Sequence, residues 1–351
     1  MCRFDAMFEL EKIIRPHLVN FKAYSSARDE YQGNDGIFLD ANENPFDDLL
    51  DYNRYPDPLQ RVTKQKIASL KNIAIESIFL GNGSDEAIDL LFRAFCEPGS
   101  DNVIICPPTY GMYATSAALN NVKVRRVMLT TDFQLNVEDI QQTIDGKTKL
   151  IFICSPNNPT GNLINNEDIR LLLKTFDGLV VIDEAYIDFS GEDSWTKKLE
   201  KYPNLIILQT FSKAWGMAAL RLGMAFASKE IIALLSAIKP PYNINAYTQN
   251  TANEILDKPQ VIQSYKEAII KNRRFLHDAL MELNIVKHIY PSDANFLLVA
   301  FRDCEQVFKY LINNKCIVRL RNKEPLCEDC IRITVGTHEE NQKLLDLLKK
   351  Y

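Results

Sequence analysis

The 351-residue sequence predicts an α/β protein with a mostly parallel central sheet flanked by helices, plus a smaller α+β domain. Four continuous apolar runs rich in β-branched residues are typical of strands that are buried on both faces. Helical spacing of apolar residues between several of these runs favours crossover helices and hence parallel strands. The four runs are residues 103–106, 150–154, 179–182 and 205–208.

Every one of these runs ends in a polar or turn-forming segment. The segments that follow them are residues 107–110, 155–161, 183–186 and 210–213. In parallel sheets the ligand crevice lies outside the carboxyl ends of the strands, so segments that follow strands meet at one edge. We therefore expect the binding site of this protein to lie at that edge.

A glycine-rich turn at 81–83 joins a further strand-like run, 78–80, to a helix with an apolar face over 87–95. Ser84 is the predicted N-cap of this helix. A helix start offers unpaired N–H groups at the positive end of its dipole, which is an anion site. The alternative is simply a well-capped helix, in which Asp85 and Glu86 are also favourable. If an anion binds here, both carboxylates should point away from it.

The domain organisation follows from a change of pattern near residue 240, after which the chain is first helical and then α+β. We expect one long, kinked helix over 249–284, strands at 295–299 and 331–335, and a last helix over 339–350. A strand is also predicted at 37–40. The predicted parts are an N-terminal arm (1–35) beside the small domain, a large domain (36–240) and a small C-terminal domain (241–351).

Composition excludes several classes of protein. The formal net charge of −5 gives no basic field for nucleic acid or for an anionic membrane surface. No apolar run reaches the roughly 18 residues of a membrane span, and the N-terminal segment lacks the apolar core of a signal peptide. Of eight cysteines, only Cys327 and Cys330 have metal-like spacing and no second pair follows. We expect a cytoplasmic protein with no metal site.

Lys213 lies in the segment 209–216, Gln-Thr-Phe-Ser-Lys-Ala-Trp-Gly, directly after the run 205–208. A lysine at the end of a buried strand is held on rigid backbone, and partial desolvation favours the neutral amine that can attack an aldehyde. Ser212 and Arg221 would add a hydroxyl and a guanidinium suited to a phosphate. Taken alone, the segment is more typical of a surface lysine that follows a core strand; the other strand-end segments reverse this and favour the catalytic interpretation.

The strand-end residues Asp183, Tyr186 and Lys213 make the sequence similar to the fold type I enzymes that depend on pyridoxal 5′-phosphate (PLP). The branch that it resembles is that of the class II aminotransferases. Within that branch it resembles the histidinol-phosphate aminotransferases, over nearly the whole chain. The matching segments are 24–28 (Tyr-Ser-Ser-Ala-Arg), 39–46 (Leu-Asp-Ala-Asn-Glu-Asn-Pro-Phe), 54–57 (Arg-Tyr-Pro-Asp), 81–86 (Gly-Asn-Gly-Ser-Asp-Glu), 155–161 (Ser-Pro-Asn-Asn-Pro-Thr-Gly), 183–186 (Asp-Glu-Ala-Tyr), Ser212-Lys213, Arg221 and 332–336 (Arg-Ile-Thr-Val-Gly).

The resemblance implies a role for each residue around the cofactor ring. Lys213 would hold PLP as a Schiff base and carry the proton during transamination. Asp183 would pair with the ring nitrogen and favour its protonated form; a helix cap at a strand end is its structural alternative. Asn158 and Tyr186 would hydrogen-bond the ring oxygen. Tyr110 would stack on the ring, unless it is a core tyrosine.

The resemblance also implies which residues bind the cofactor phosphate. The backbone at Ser84 and Asp85 would donate N–H groups, and the side chains of Ser212 and Arg221 would complete the site. Tyr55 is expected to reach the phosphate of the neighbouring subunit. A homodimer with shared active sites is therefore part of the expected mechanism.

The implied reaction converts histidinol phosphate and 2-oxoglutarate into imidazole-acetol phosphate and glutamate, a step of histidine biosynthesis. Arg332 is the expected ligand of the glutamate carboxylate because a guanidinium binds carboxylates in a bidentate manner. Histidinol phosphate has no carboxylate, so its phosphate should use the same region, with Arg319 and Tyr24 as further donors. The neighbouring Arg321 is interpreted as solvated.

Two other functions remain open at this stage. Another PLP enzyme on the same scaffold, such as an aromatic amino acid aminotransferase or a phosphothreonine decarboxylase, would share the cofactor residues, since specificity lies in the shape of the pocket. A non-catalytic PLP-binding regulator would be supported by an appended basic DNA-binding segment, and the sequence has none.

Overall fold

The structure, a computed structural model, describes residues 8–24, 36–47 and 52–351. It contains two sheets. The strands of the larger sheet are β1 (Ile78–Asn82), β2 (Asn102–Ile105), β3 (Lys123–Arg126), β4 (Thr148–Cys154), β5 (Leu179–Asp183), β6 (Leu205–Thr210) and β7 (Leu222–Phe226). The strands of the smaller sheet are β8 (Val286–Ile289), β9 (Phe296–Phe301), β10 (Arg319–Leu320) and β11 (Cys330–Thr334).

Ten α-helices surround these sheets within the described residues. They are α1 (Arg61–Lys71), α2 (Ser84–Phe95), α3 (Met112–Leu119), α4 (Val137–Thr143), α5 (Asn166–Thr175), α6 (Lys229–Ile238), α7 (Ala246–Leu256), α8 (Pro259–Met281), α9 (Cys304–Asn313) and α10 (His338–Lys350). Short 3-10 helices lie at Leu10–Lys12, Pro16–Leu18, Ile75–Ser77, Ile187–Phe189, Trp195–Lys201 and Ala218–Leu220. No helix of the described chain is long and apolar enough to cross a membrane.

The larger sheet has the order β1-β7-β6-β5-β4-β2-β3. Strands β3, β2, β4, β5 and β6 run parallel, and only β7 runs against its two neighbours. The predicted, mostly parallel sheet is confirmed. The sequence analysis did not find β3 and β7: β3 is a short edge strand rich in charge, and the glycine of β7 weakens a strand pattern.

Burial on both faces explains why the strand sequences are continuously apolar. In β5, Val180 and Ile182 belong to one hydrophobic cluster, whereas Leu179 and Val181 belong to another on the opposite face. All four side chains are fully buried. Because successive side chains of a strand point to opposite faces, a strand covered on both sides needs apolar residues at every position.

The smaller sheet is antiparallel and has the order β10-β11-β9-β8. Its helices α8, α9 and α10 pack against it in a separate hydrophobic cluster that draws on residues 276–348. The long helix predicted over 249–284 is in fact two helices, α7 and α8, which are separated at residues 257–258. The break lies directly before Pro259. A proline disfavours the helical conformation of the residue that precedes it, because its ring would clash with that residue.

Two predictions for the N-terminal part of the chain are wrong. Residues 37–39 form no strand, and Ile37 and Leu39 are 92% and 87% exposed, so no sheet covers them in the single chain. The described part of the arm, 8–24, lies against α2 of the large sheet rather than beside the smaller domain. Ile13 is buried in the same cluster as α2, and the N–H of Arg15 donates to the carbonyl of Ala94 at 3.0 Å.

Candidate active site

A cavity lies at the carboxyl edge of the large sheet, where the sequence analysis expects the binding site. It measures about 590 Å³ including its open mouth, within the usual range for small-molecule sites. It is lined by Ser84, Asp85, Tyr110, Cys154, Asn158, Asp183, Ala185, Tyr186, Thr210, Ser212, Lys213, Ala218 and Arg221. The structure thus brings together ten of the predicted site residues: nine of those lining it and Arg332, which hydrogen-bonds to Asn158.

Lys213 lies in the connection 211–221 between β6 and the antiparallel β7. Its Nζ is 5.7 Å from the centre of the Tyr186 ring. Burial and the neighbouring Arg332 cation lower the pKa of Lys213, and the Asp183 carboxylate opposes this effect. A lowered pKa raises the fraction of neutral amine, which is the nucleophilic and basic form.

Asp183 is the last residue of β5 and is only 3% exposed. The hydroxyl of Tyr113 donates to its Oδ2 at 2.7 Å, and the N–H of Ala185 donates to its Oδ1 at 3.0 Å. Burial raises the pKa of Asp183, while these two hydrogen bonds lower it by stabilising the charged form. The carboxylate is therefore held in one orientation at the floor of the cavity.

The start of α2 forms an anion-binding cradle with Arg221. Gly83 is the N-cap and no side chain caps the helix, so Ser84 is the first helical residue and not the cap that the sequence predicts. The free N–H groups of the first turn therefore face the cavity with the dipole's positive end. A Cβ at Gly83 would lie 2.6 Å from Nη2 of Arg221, so a side chain there would displace the guanidinium.

Asp85 does not point away from this cradle, contrary to the expectation. Its Oδ2 is 3.4 Å from Nη2 of Arg221, and its Oδ1 accepts a hydrogen bond from the Tyr110 hydroxyl at 3.1 Å. Glu86 does point away, since its Oε2 accepts from the amide of Asn243 at 3.0 Å. A phosphate would compete with Asp85 for the same guanidinium, so binding requires this carboxylate to turn.

On the opposite side of the cavity, Asn158 links the large sheet to the small one. Its Nδ2 donates to the hydroxyl of Tyr186 at 3.4 Å, and its Oδ1 accepts from Nη1 of Arg332 on β11. Burial raises the pKa of Tyr186, and Arg332 and Arg321 partly oppose this effect. The Tyr186 hydroxyl is therefore protonated at neutral pH and can donate a hydrogen bond into the cavity.

Two further predicted residues line the cavity wall. Tyr110 follows β2, and its ring meets that of Tyr113 edge-on at 5.6 Å. Its hydroxyl donates to Asp85, and the residue lines the cavity, where the resemblance expects a stacking residue. The Ser212 hydroxyl accepts a hydrogen bond from that of Thr210 at 3.0 Å.

Three predicted residues lie outside the cavity of the single chain. Tyr24 is 73% exposed and lines a groove formed by the arm and α6. Tyr55 lines a separate surface cavity and stacks on Tyr242 at 4.5 Å. Arg319 is exposed on β10. The rest of the segment 24–28 lies outside the described residues.

Tyr113 is the main functional residue that the sequence analysis missed. It is fully buried and its hydroxyl orients Asp183. Tyr113 lies in the first turn of α3, which begins two residues after Tyr110. The sequence analysis predicts no helix there, so the only available signal was its nearness to the strand-end segment 107–110. Thr210 and Cys154, which line the cavity at the ends of β6 and β4, are strand-end residues that the same edge rule could have found.

Comparison with known proteins agrees with this fold. The aminotransferase class I and II family matches residues 35–348. A histidinol-phosphate aminotransferase of Cytophaga hutchinsonii is 54% identical over 346 residues, which cover 98% of this chain and 99% of that protein. The crystal structure of the histidinol-phosphate aminotransferase of Clostridium acetobutylicum superposes with a TM-score of 0.78 at 27% identity, covering 85% of this chain and 90% of that one.

A third comparison concerns the fold alone. The Sinorhizobium meliloti histidinol-phosphate aminotransferase, solved in complex with pyridoxal-5′-phosphate, has a TM-score of 0.76 at 21% identity, covering 86% of this chain and 84% of that one. Taken with the two closer matches, this fold and site define the class of the protein. The chain belongs to the class I and II aminotransferase family and, within it, to the histidinol-phosphate aminotransferases. The family resemblance seen in the sequence is confirmed.

The residues of the cavity fit PLP group by group. An amine (Lys213), a buried carboxylate (Asp183) and a phenol (Tyr186) correspond to its aldehyde, ring nitrogen and ring oxygen. The uncapped helix start and Arg221 correspond to its phosphate. The steric need for glycine at position 83 beside the guanidinium supports this assignment independently of the family match.

Proposed function

We propose that this protein is a PLP-dependent aminotransferase that interconverts histidinol phosphate plus 2-oxoglutarate with imidazole-acetol phosphate plus glutamate, in histidine biosynthesis. The observation that carries the proposal is the single cavity that Lys213 and Asp183 share, with the Asn158–Arg332 contact on its other side. An amine, a carboxylate and a guanidinium from distant parts of the chain converge there. The relatives at and above half identity bear the same activity in their names.

The cofactor's place in the cavity follows from the charges of the wall. When bound, PLP supplies an aldehyde that condenses with amines and a pyridinium ring that accepts electrons from a carbon losing its proton. The Asp183 carboxylate favours a proton on the ring nitrogen, because an opposite charge stabilises the cationic form. Tyr113 orients this carboxylate and lowers its pKa against the larger effect of burial. Tyr186 and Asn158 would hydrogen-bond the ring oxygen.

Lys213 moves the proton of the reaction. Its lowered pKa, caused by burial and by Arg332, allows Nζ to be neutral and to accept the proton from the amine-bearing carbon of the substrate. The connection 211–221 holds the amine at the strand end, so it stays in reach of that carbon. Arg332 has a second role as the ligand of the glutamate carboxylate.

A direct assay separates this function from its rivals. Purified protein loaded with PLP should consume histidinol phosphate only when 2-oxoglutarate is present and should release glutamate in equal amount. Release of CO₂ from phosphothreonine would instead identify a decarboxylase. Faster turnover of phenylalanine or tyrosine than of histidinol phosphate would identify an aromatic aminotransferase. No turnover with any amine would leave a PLP-binding protein without catalysis.

We also propose a homodimer in which Tyr55 acts on the partner's active site. Tyr52, Tyr55 and Tyr247 are 49%, 50% and 59% exposed around one surface cavity, and Ile37 and Phe46 nearby in sequence are 92% and 76% exposed. Large exposed apolar residues in such numbers are typical of a protein interface. Tyr55 lies in a different cavity from Lys213 in its own chain, which suits a role in a second copy.

Hybrid dimers test this arrangement. Tyr55→Phe and Lys213→Ala chains, each inactive or weakened alone, should regain up to about half of the wild-type activity when co-expressed with different tags. One site of the hybrid then combines an intact lysine with an intact tyrosine. If Tyr55 acts within its own chain, both sites stay defective and no activity returns.

Two coarser proposals complete the description. The chain divides into a large cofactor-binding domain, 36–240, and a small domain, 241–351; the separate hydrophobic cluster of residues 276–348 supports this division. We further propose a cytoplasmic location. All seven described cysteines are unpaired, as is usual in a reducing compartment.

A further inference from the structure

Three arginines share one face of the β10–β11 ladder. Arg319 pairs directly with Arg332 across the two strands. The ladder continues beyond β10, since the N–H of Arg321 donates to the carbonyl of Cys330 at 2.8 Å. Side chains two apart on a strand point to the same face, and so do directly opposed residues. Arg319, Arg321 and Arg332 therefore project together, and we call them the arginine face.

The arginine face has little negative charge to balance it. Within the described part of the chain, its one ion pair joins Nη1 of Arg321 to Glu324 at 3.4 Å. Arg332 contacts the neutral amide of Asn158 and lies 5.2 Å from the ring of Phe296. Burial lowers the pKa of Arg332, and so do Arg321 and Arg319, which shows that the three cations repel one another. Such a cluster favours a multiply charged anion.

Arg321 is more enclosed than Arg319. The sequence analysis interprets Arg321 as solvated, but its side chain is only 19% exposed, whereas Arg319 is an exposed residue. The Nε–H of Arg321 is buried and has no hydrogen-bond acceptor among the described residues. A buried guanidinium N–H without an acceptor is unfavourable unless a ligand supplies one.

The arginine face borders the Lys213 cavity on the substrate side. Arg332 bonds Asn158, and Asn158 lines the cavity. Arg321 is close enough to Tyr186, another lining residue, for its charge to lower the pKa of that hydroxyl against the larger effect of burial. A substrate whose amine is at Lys213 can therefore direct its far end at the arginine face.

We propose that Arg321 is a specificity-determining residue that binds the phosphate monoester of the substrate, using its buried Nε–H. A phosphate monoester has enough acceptor oxygens and enough charge to bind Arg319, Arg321 and Arg332 at the same time. The carboxylate of glutamate binds Arg332 alone. The inference rests on the proposed function for the identity of the substrate. It assigns to Arg321 the discrimination between a phosphorylated amine and its unphosphorylated counterpart.

The test compares Arg321→Gln with Lys323→Gln in the PLP-loaded enzyme. Lys323 is an exposed lysine of the same loop, so its loss controls for a general change in charge. Arg321→Gln should lower kcat/KM for histidinol phosphate about 10- to 100-fold, mainly through KM, as loss of charge-assisted hydrogen bonds to the substrate predicts. The values for histidinol and for glutamate should stay within about twofold, and Lys323→Gln should change none of them.

A second variant guards against an indirect effect on folding. Arg321→Lys keeps the charge but not the planar donor set, so it should recover part of the lost kcat/KM for histidinol phosphate. Equal losses for histidinol and histidinol phosphate, or no loss for either, would overturn the proposal.

Binding of inorganic phosphate separates this inference from the proposed function. In PLP-loaded protein the cofactor's own phosphate site is filled, so titration calorimetry with phosphate reports on the arginine face. Arg321→Gln should weaken that binding about tenfold or more. Wild-type protein that fails to transaminate histidinol phosphate but shows this difference would refute the function and keep the site. Identical phosphate binding by both proteins would refute the role of Arg321.

Discussion

The two walls of the cavity differ in how their charges are balanced. On the large-sheet side, Asp183 accepts from Tyr113 and Ala185, and Arg221 faces Asp85. On the small-sheet side, the arginine face borders the cavity, and within the described residues its single ion pair joins Arg321 to Glu324. Asp183 is therefore oriented before any ligand arrives, whereas the arginine face keeps most of its charge for a ligand to neutralise.

This difference matches what a transaminase has to do. The cofactor stays through the whole cycle, so the groups that hold it gain from internal hydrogen bonds that fix their orientation. Two different substrates must use the other wall in turn. Cations that are balanced by only one carboxylate among the described residues can accept either a carboxylate or a phosphate there.

The largest expected effect comes from the large-sheet wall. Lys213→Ala removes the amine that we propose carries the cofactor and the proton, so activity should fall by about 10³-fold or more. Borohydride reduction of the wild-type, yellow protein should leave the cofactor covalently attached to the peptide that contains Lys213, as mass spectrometry can establish. Lys197→Ala, which removes an exposed lysine paired with Asp193, is the control and should be fully active. Attachment at another residue would contradict the assignment.

A smaller effect is expected from the cradle of the same wall. Gly83 has φ of 77°, and an added Cβ would lie 2.6 Å from the Arg221 guanidinium. Gly83→Ala should therefore weaken PLP binding about tenfold or more, because strain of about 1–3 kcal/mol adds to the displaced donor. Absorbance titration of the apoprotein measures this.

The matched control for the cradle is Gly146→Ala. An added Cβ at position 146 meets no atom within 4 Å, so PLP affinity should not change. If the two glycine variants bind PLP alike, the start of α2 is not the phosphate site.

The smallest effect is expected at Tyr113. Its hydroxyl makes one hydrogen bond that orients the buried carboxylate of Asp183. Tyr113→Phe removes a bond that lowers the pKa of Asp183, so burial would raise that pKa further. Less of the carboxylate is then charged as pH falls. PLP affinity should drop roughly threefold to tenfold, with the larger loss on the acidic side, as fluorescence titration at several pH values can measure.

Tyr310→Phe is the control for this variant. Tyr310 also donates one hydrogen bond, to the carbonyl of Leu347 at 3.2 Å, but in the small domain. It should leave PLP affinity unchanged at every pH. A loss in Tyr113→Phe that does not depend on pH would mean that the hydroxyl supports packing rather than the charge of Asp183.

The large-sheet wall could be predicted from the sequence because its residues follow strands, and each strand can be recognised by its own apolar run. Lys213, Asp183 and Asn158 each lie in the short segment that follows an apolar run, and the parallel arrangement brings strand ends together. The order of apolar run and polar segment along the chain was therefore enough to predict that these residues lie at the same edge of the sheet.

The small-sheet wall could not be predicted in the same way. Whether Arg319 or Arg321 is enclosed depends on how β10 lies on β11 and on what covers Arg321, and neither is encoded in the alternating sequence. Tyr113 was missed for a related reason, since its role requires α3 to lie over the end of β5. The proposed role of Tyr55 depends on a second copy of the chain, and the sequence of one chain does not show which of its surfaces would meet in a dimer.

The reversed direction of β7 has a consequence for the cofactor itself. Because β6 and β7 run in opposite directions, the short connection 211–221 starts and finishes at the same rim, with Lys213 near one end and Arg221 at the other. If Lys213 and Arg221 hold the cofactor as proposed, the length of this connection sets the distance between the group that binds the aldehyde and the group that binds the phosphate. A cofactor analogue with a longer or shorter phosphate arm should then bind more weakly.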